Sequence, residues 1–228
     1  MGFEYLANDL LEPVSYALCL FFLLFYIRKN KKVKLGLLAV YFFAATLLML
    51  RAAYVNPNIL LYSILSLVSV VFLGLYFYNT YFLKWKKRLT IAIILVQCGY
   101  FVVSNFIFSP PVIFDSAGHV LQSIGIVIMA FLYMHQILTN ITEEPLSHNF
   151  DFWFVSTQLI YHLGAFGIFL TYGYLTKRIL PTGLYSKENR NLISNVWLVH
   201  NVLLFLTALL FAAGILWITF RSKSRSSL

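Results

Sequence analysis

The sequence predicts an all-α, polytopic membrane protein. We expect a seven-transmembrane-helix bundle with its N-terminus outside and its C-terminus cytoplasmic, in a single domain over 1–228. Three observations predict it. Hydrophobic residues make up 61% of the chain and charged residues 11%, against about 45–50% and about 25% in soluble domains. The apolar residues fall in long uncharged runs, and since a helical crossing needs about 20 residues, seven crossings use nearly the whole chain. The lysines and arginines gather in short clusters between those runs, as in oriented membrane proteins. An ordinary soluble domain is excluded, and the net charge of +9 is assigned to membrane orientation rather than to nucleic acid. Cys19 and Cys98 lie inside apolar stretches, so no loop disulfide framework is expected.

The first helix is expected over 10–27, with Pro13 near its start and Arg28 and Lys29 beyond its end. The second covers 35–54 and stops at Asn56-Pro57-Asn58. The third covers 59–83, the fourth 89–108, closed by Ser109-Pro110-Pro111, and the fifth 117–138, before Pro145. The sixth covers 152–175, before Pro181-Thr182-Gly183, and the seventh covers 195–220. Proline and glycine punctuate each of these breaks. No proline interrupts a helix in its middle and no internal repeat is visible, which argues against a transporter built on broken helices.

Orientation follows from the basic residues. Arg28, Lys29, Lys31, Lys32 and Lys34 fill the first loop, Lys84, Lys86, Lys87 and Arg88 the third, and Arg221, Lys223 and Arg225 the tail. With seven crossings these segments share one side, which the positive-inside rule makes cytoplasmic. The last outer loop, with Lys177, Arg178, Lys187 and Arg190, departs from the pattern. The expected location is the cell inner (plasma) membrane, crossed several times, with the lipid bilayer as the first partner.

Polar residues inside a bilayer usually turn toward the bundle interior. Glu12, Ser15, Tyr16 and Cys19 recur at i, i+3, i+4 and i+7, one face of a helix. Similar stripes are Tyr62/Ser66/Ser69, Gln97/Tyr100/Ser104 with Asn105 beside them, Asp115/His119/Gln122, Gln158/Tyr161/His162 and Trp197/His200/Asn201. Arg51 and Tyr54 sit near the outer end of helix two. Most of these residues fall in the outer half, whereas the inner halves read as plain apolar packing. The expected shape is a cup open to the outside, its largest cavity touching several of Gln97, His119, Gln122, His162, His200 and Asn201. The candidate ligand-binding residues are Glu12, Arg51, Gln97, Asn105, His119, Gln122, Tyr161, His162, His200 and Asn201. Arg51 is expected to reach the outer interface, to pair with Glu12 or Asp115, or to meet an anionic group. The alternative reading is interhelical hydrogen bonding alone.

His119, His162 and His200 lie on three helices, and three imidazoles suit a metal with an open position. Asp115, one turn before His119, would be a fourth ligand or its support. No HxxxH or HExxH is present, so no metal or other cofactor is expected. No lysine lies within 195–220, which excludes a retinal Schiff base, and GxGxxG, GxxxxGK[ST] and GxSxG are absent.

Helix six begins Phe152-Trp153 and continues to Leu159-Ile160-Tyr161-His162, and Trp197 opens helix seven. These elements, over roughly the last third of the chain, resemble a group of small, uncharacterised bacterial seven-helix membrane proteins whose genes often neighbour those of sensor histidine kinases. The resemblance implies an association with signalling and a sensor kinase or another membrane signalling protein as partner. The expected function is therefore a receptor or sensor-like subunit that binds a small external ligand and signals through a separate partner. The alternatives are a metal-dependent membrane hydrolase using His119, His162 and His200, and a non-catalytic structural or assembly subunit.

Overall fold

The computed structural model is all-helical and describes residues 10–28, 30, 32–54, 58–107, 114–140, 145–179 and 187–225. Its main helices are α1 (Leu11–Ile27), α2 (Val33–Tyr54), α3 (Ile59–Thr80), α4 (Lys84–Val102), α5 (Ser116–Thr139), α6 (Phe150–Ile179) and α7 (Lys187–Arg225). A π-helical turn, Val103–Ile107, follows α4, and a 3-10 turn, Leu146–His148, precedes α6. Of the expected turns, 109–111, 181–183 and residues 56–57 of 56–58 lie outside the described residues. Six helices, α2 to α7, are long and apolar enough to cross a membrane; α1 is a shorter apolar helix of 17 residues. The chain is thus a multi-pass helical membrane protein. Helices are the expected solution because each satisfies its own backbone where no water is available.

Several helix ends differ from the sequence expectation. α3 stops at Thr80 because Tyr81 turns extended, at φ −77° and ψ 140°. α4 therefore starts at Lys84, inside the basic cluster, rather than at 89. α6 and α7 run past the apolar limits at both ends. Hydropathy marks the hydrocarbon-facing part of a helix, and polar turns continue the same backbone ladder beyond it.

Six helices close a ring in the order α1, α2, α3, α5, α6, α7 and back to α1. α4 stands outside the ring, against α3 and α5. Glycines explain its seat. A Cβ at Gly74 on α3 would come 2.6 Å from Ile94 Cδ1, and one at Gly125 on α5 would come 2.7 Å from Ile93 Cγ2. Consecutive isoleucines of α4 thus enter notches on two neighbours, the close approach that small residues permit between membrane helices.

The end of the bundle carrying Lys34, Lys84, Lys86, Lys87, Arg88 and Arg221 is called the basic end below. On its side of the core Phe42, Tyr76, Phe150, Phe154 and Phe211 interlock, with Phe154 fully buried and Tyr76 edge-on to it at 4.7 Å. Most of these contacts set a ring edge against a ring face, and Phe150 and Phe154 stack.

Candidate functional site

The half of the bundle opposite the basic end gathers its polar side chains around Glu12. This carboxylate lies in the first turn of α1 and is 4% exposed. Tyr62 of α3 donates to Glu12 Oε2 at 3.0 Å. His200 of α7 places Nδ1 3.2 Å from Glu12 Oε1 and 3.1 Å from Asn201 Oδ1, and its Nε2 lies 2.8 Å from the Tyr161 hydroxyl of α6. Four helices are thus tied through one carboxylate and one imidazole.

Two cavities of about 20 Å³ each adjoin this group and share Tyr16 and Tyr161. One is lined by Glu12, Tyr62, Ser69, His119, Gln122, Trp197 and His200 among others. The other lies deeper, among Tyr41, Thr157, Gln158 and Thr207. A void of that size holds about one water. Glu12 Oε1, Gln97 Oε1, His119 Nε2, Gln122 Oε1 and His162 Nδ1 are buried with no aligned hydrogen bond. Each such atom costs roughly 1–3 kcal/mol unless something satisfies it.

Aromatic rings roof the group. Phe114, just before α5, stacks on His119 at 4.6 Å and 12°, and meets Tyr62, Trp197, Tyr172 and Phe169 at 5.0–5.9 Å. Trp197 in turn covers His200 at 4.9 Å.

The structure brings Glu12, His119, Gln122, Tyr161, His200 and Asn201 together. Gln97 and His162 are buried close by but line neither cavity: Gln97 donates to Ser66 Oγ and the Gly118 carbonyl, and His162 packs edge-on against Tyr161. Two candidates fall away. Arg51 is exposed and in neither ion pair among the described residues, because it is set about 100° around α2 from the buried Ala52. Asn105 spends its amide on Phe101 O and Ser104 Oγ within its own helix. Asp115 is neither beside Arg51 nor a metal support. It caps α5, accepting from Gly118 N at 3.0 Å and from the Tyr100 hydroxyl at 2.7 Å. Among the described residues no three His, Cys, Asp or Glu side chains are arranged to hold a metal ion, so His119, His162 and His200 do not form the set a hydrolase would need.

The cavity expectation is also corrected. Among the described residues, hollows of about 520, 220 and 230 Å³ lie at the basic end, and the two cavities beside the Glu12 group are water-sized. Nor is the basic half plain. Asp151 accepts from Lys34 at 2.5 Å and from Tyr76 at 2.6 Å. Lys86 is fully buried and donates to Leu132 O at 2.7 Å, and Gln136 bonds Thr80 O and Phe82 N. The Tyr81 hydroxyl donates to Met129 O, and burial holds that phenol above its ordinary pKa, so it stays a neutral donor. Sequence reading missed these groups because the partners are far apart along the chain, 117 residues for Lys34 and Asp151. Tyr41, which lines the deeper cavity and meets Tyr16 and the Ser69 hydroxyl, was missed because its neighbours one turn away on α2, Leu37, Leu38, Ala44 and Ala45, are all apolar.

No protein-family model, curated protein or solved structure matches the chain.

Proposed function

We propose that this chain is a receptor- or sensor-like subunit of the cell inner (plasma) membrane. It crosses seven times with its N-terminus outside, admits a small external ligand to the Glu12–His200 group, and acts through a separate partner such as a sensor kinase. α1 enters this count because 17 residues is the short limit of a crossing. The carrying observation is the cluster of buried polar atoms without an aligned hydrogen bond on Glu12, His119 and Gln122, around one cavity beneath an aromatic roof. A carboxylate walled by Tyr62, Trp197, Phe169 and His200 suits a small organic ammonium, which gains from both the charge and the ring faces. Small-molecule sites usually measure about 300–1,000 Å³, so this is a closed form in which Phe114 and Trp197 must part. The hollows of about 220 and 230 Å³ beside Lys34 and Asp151 offer the partner a polar surface at the cytoplasmic end.

The water-sized cavities favour one second reading, a structural or assembly subunit whose polar groups only join helices. One labelling experiment separates the two. Gln122→Cys, with Cys19 and Cys98 replaced by serine, is treated in intact cells with an impermeant trimethylammonium methanethiosulfonate or its sulfonate analogue. The receptor reading expects modification, faster with the cation because of Glu12, and faster still with Phe114→Ala. No modification by either reagent, even with Phe114→Ala, would leave the structural reading.

A further inference from the structure

The roomiest hollow described above lies far from the Glu12 group, at the corner between α3 and α4. It measures about 520 Å³ and is lined by Tyr78, Lys84, Lys87, Arg88 and Ile91. We propose that it is a binding site for the phosphate headgroup of an anionic phospholipid.

Charge is the first argument. Lys84, Lys87 and Arg88 are spaced i, i+3 and i+4, so they share one face of α4 and repel one another. No carboxylate lines the hollow, and neither ion pair among the described residues uses these three cations. Lys87 Nζ is held 5.1 Å from the Tyr78 ring centre, which aims it along the hollow's wall. An anion here would meet three cations and displace no carboxylate.

The second argument chooses a lipid over a free anion. Lys84 and Arg88 are exposed, so the hollow opens outward from the bundle. α4 is the helix outside the ring, and the face that lines the hollow continues away from the basic end through the exposed Ile91 and Leu95. A phosphate among the three cations would leave its acyl chains against that face, continuous with the bilayer. Basic pockets between membrane helices recognise headgroups in this way, through charge rather than through a closed cage. Arg88 adds a planar fork suited to two phosphate oxygens at once.

The full-length protein in an uncharged detergent, titrated with phosphatidylglycerol, phosphatidylcholine or inorganic phosphate and read by native mass spectrometry, tests the site. Wild type is expected to retain phosphatidylglycerol in preference to phosphatidylcholine. Replacing Lys84, Lys87 and Arg88 by glutamine should weaken phosphatidylglycerol binding on the order of 100-fold, from three headgroup contacts. A matched variant, with Arg28, Lys32 and Arg221 replaced by glutamine, removes the same charge from the same end and should keep the preference. If the triple variant does not fold, Arg88→Gln alone is expected to weaken binding about fivefold. Equal retention of both lipids, equal loss in the two charge-matched variants, or displacement of the lipid by inorganic phosphate would overturn the proposal.

Discussion

Removing a single hydroxyl tests whether the polar group opposite the basic end is closed by the protein's own bonds. In Tyr161→Phe the ring remains, and the hydrogen bond to His200 Nε2, 2.8 Å away, is lost. His200 is 4% exposed, so no bulk water replaces the partner. A neutral hydrogen bond contributes about 0.5–1.5 kcal/mol net, and the stranded ring nitrogen raises the loss to about 1–3 kcal/mol. A loss near 2 kcal/mol lowers the melting temperature of a chain this long by roughly 4–8 °C. The buried Cys19 thiol supplies the assay. In a Cys98→Ser background, a thiol-reactive dye reports unfolding in detergent as Cys19 becomes exposed. Tyr54→Phe is the control: Tyr54 is 77% exposed, and a surface change of this kind stays within about 0.5 kcal/mol. If Tyr161→Phe melts with Tyr54→Phe, the reasoning fails. A water in the adjoining cavity would then already hold His200, and the linkage from Glu12 to Tyr161 would not be a protein bond network.

Two further outcomes are expected in the same assay. Gly214→Ala places a Cβ 2.6–2.8 Å from three atoms of the Trp153 indole, whose Nε1 is tied to Ser147 O at 2.9 Å; the ring has no room to yield, and a loss of about 1–3 kcal/mol is expected, with an unchanged melting temperature as the contrary result. A double-mutant cycle of Lys34→Met and Asp151→Asn should give a coupling of about 1–3 kcal/mol, because both side chains are only 17% exposed; a coupling near zero would make the pair an ordinary surface contact.

The stripes and the site were legible to different degrees. Glu12, Tyr16, His119, Gln122, Tyr161, His200 and Asn201 were found from helical spacing, since a bilayer penalises polar atoms that face lipid. Spacing states which face is polar, but it does not state how closely opposing faces approach. The expected cup became two voids of about 20 Å³ because Phe114, Trp197 and Phe169 fill the space between the stripes. Arg51 and Asn105 show the converse error. Each lies near a stripe, yet Arg51 turns outward and Asn105 bonds Phe101 O and Ser104 Oγ within one turn, so nearness to a stripe does not by itself bring a side chain to the group.

Composition and hydropathy alone determined that this is a multi-pass helical membrane protein, because hydrocarbon forces long apolar segments into self-satisfied helices. Local chemistry also set the basic clusters. Which helices touch was decided by tertiary structure. The ring that skips α4, the notches at Gly74 and Gly125, and the meeting of Lys34 with Asp151 all join residues with no local signal of one another. Helix–helix packing in lipid depends on shape and on a few buried hydrogen bonds rather than on hydrophobicity, which is equal on both sides of the contact. The Glu12–His200 group and the α3–α4 hollow could therefore be seen only once the helices were assembled.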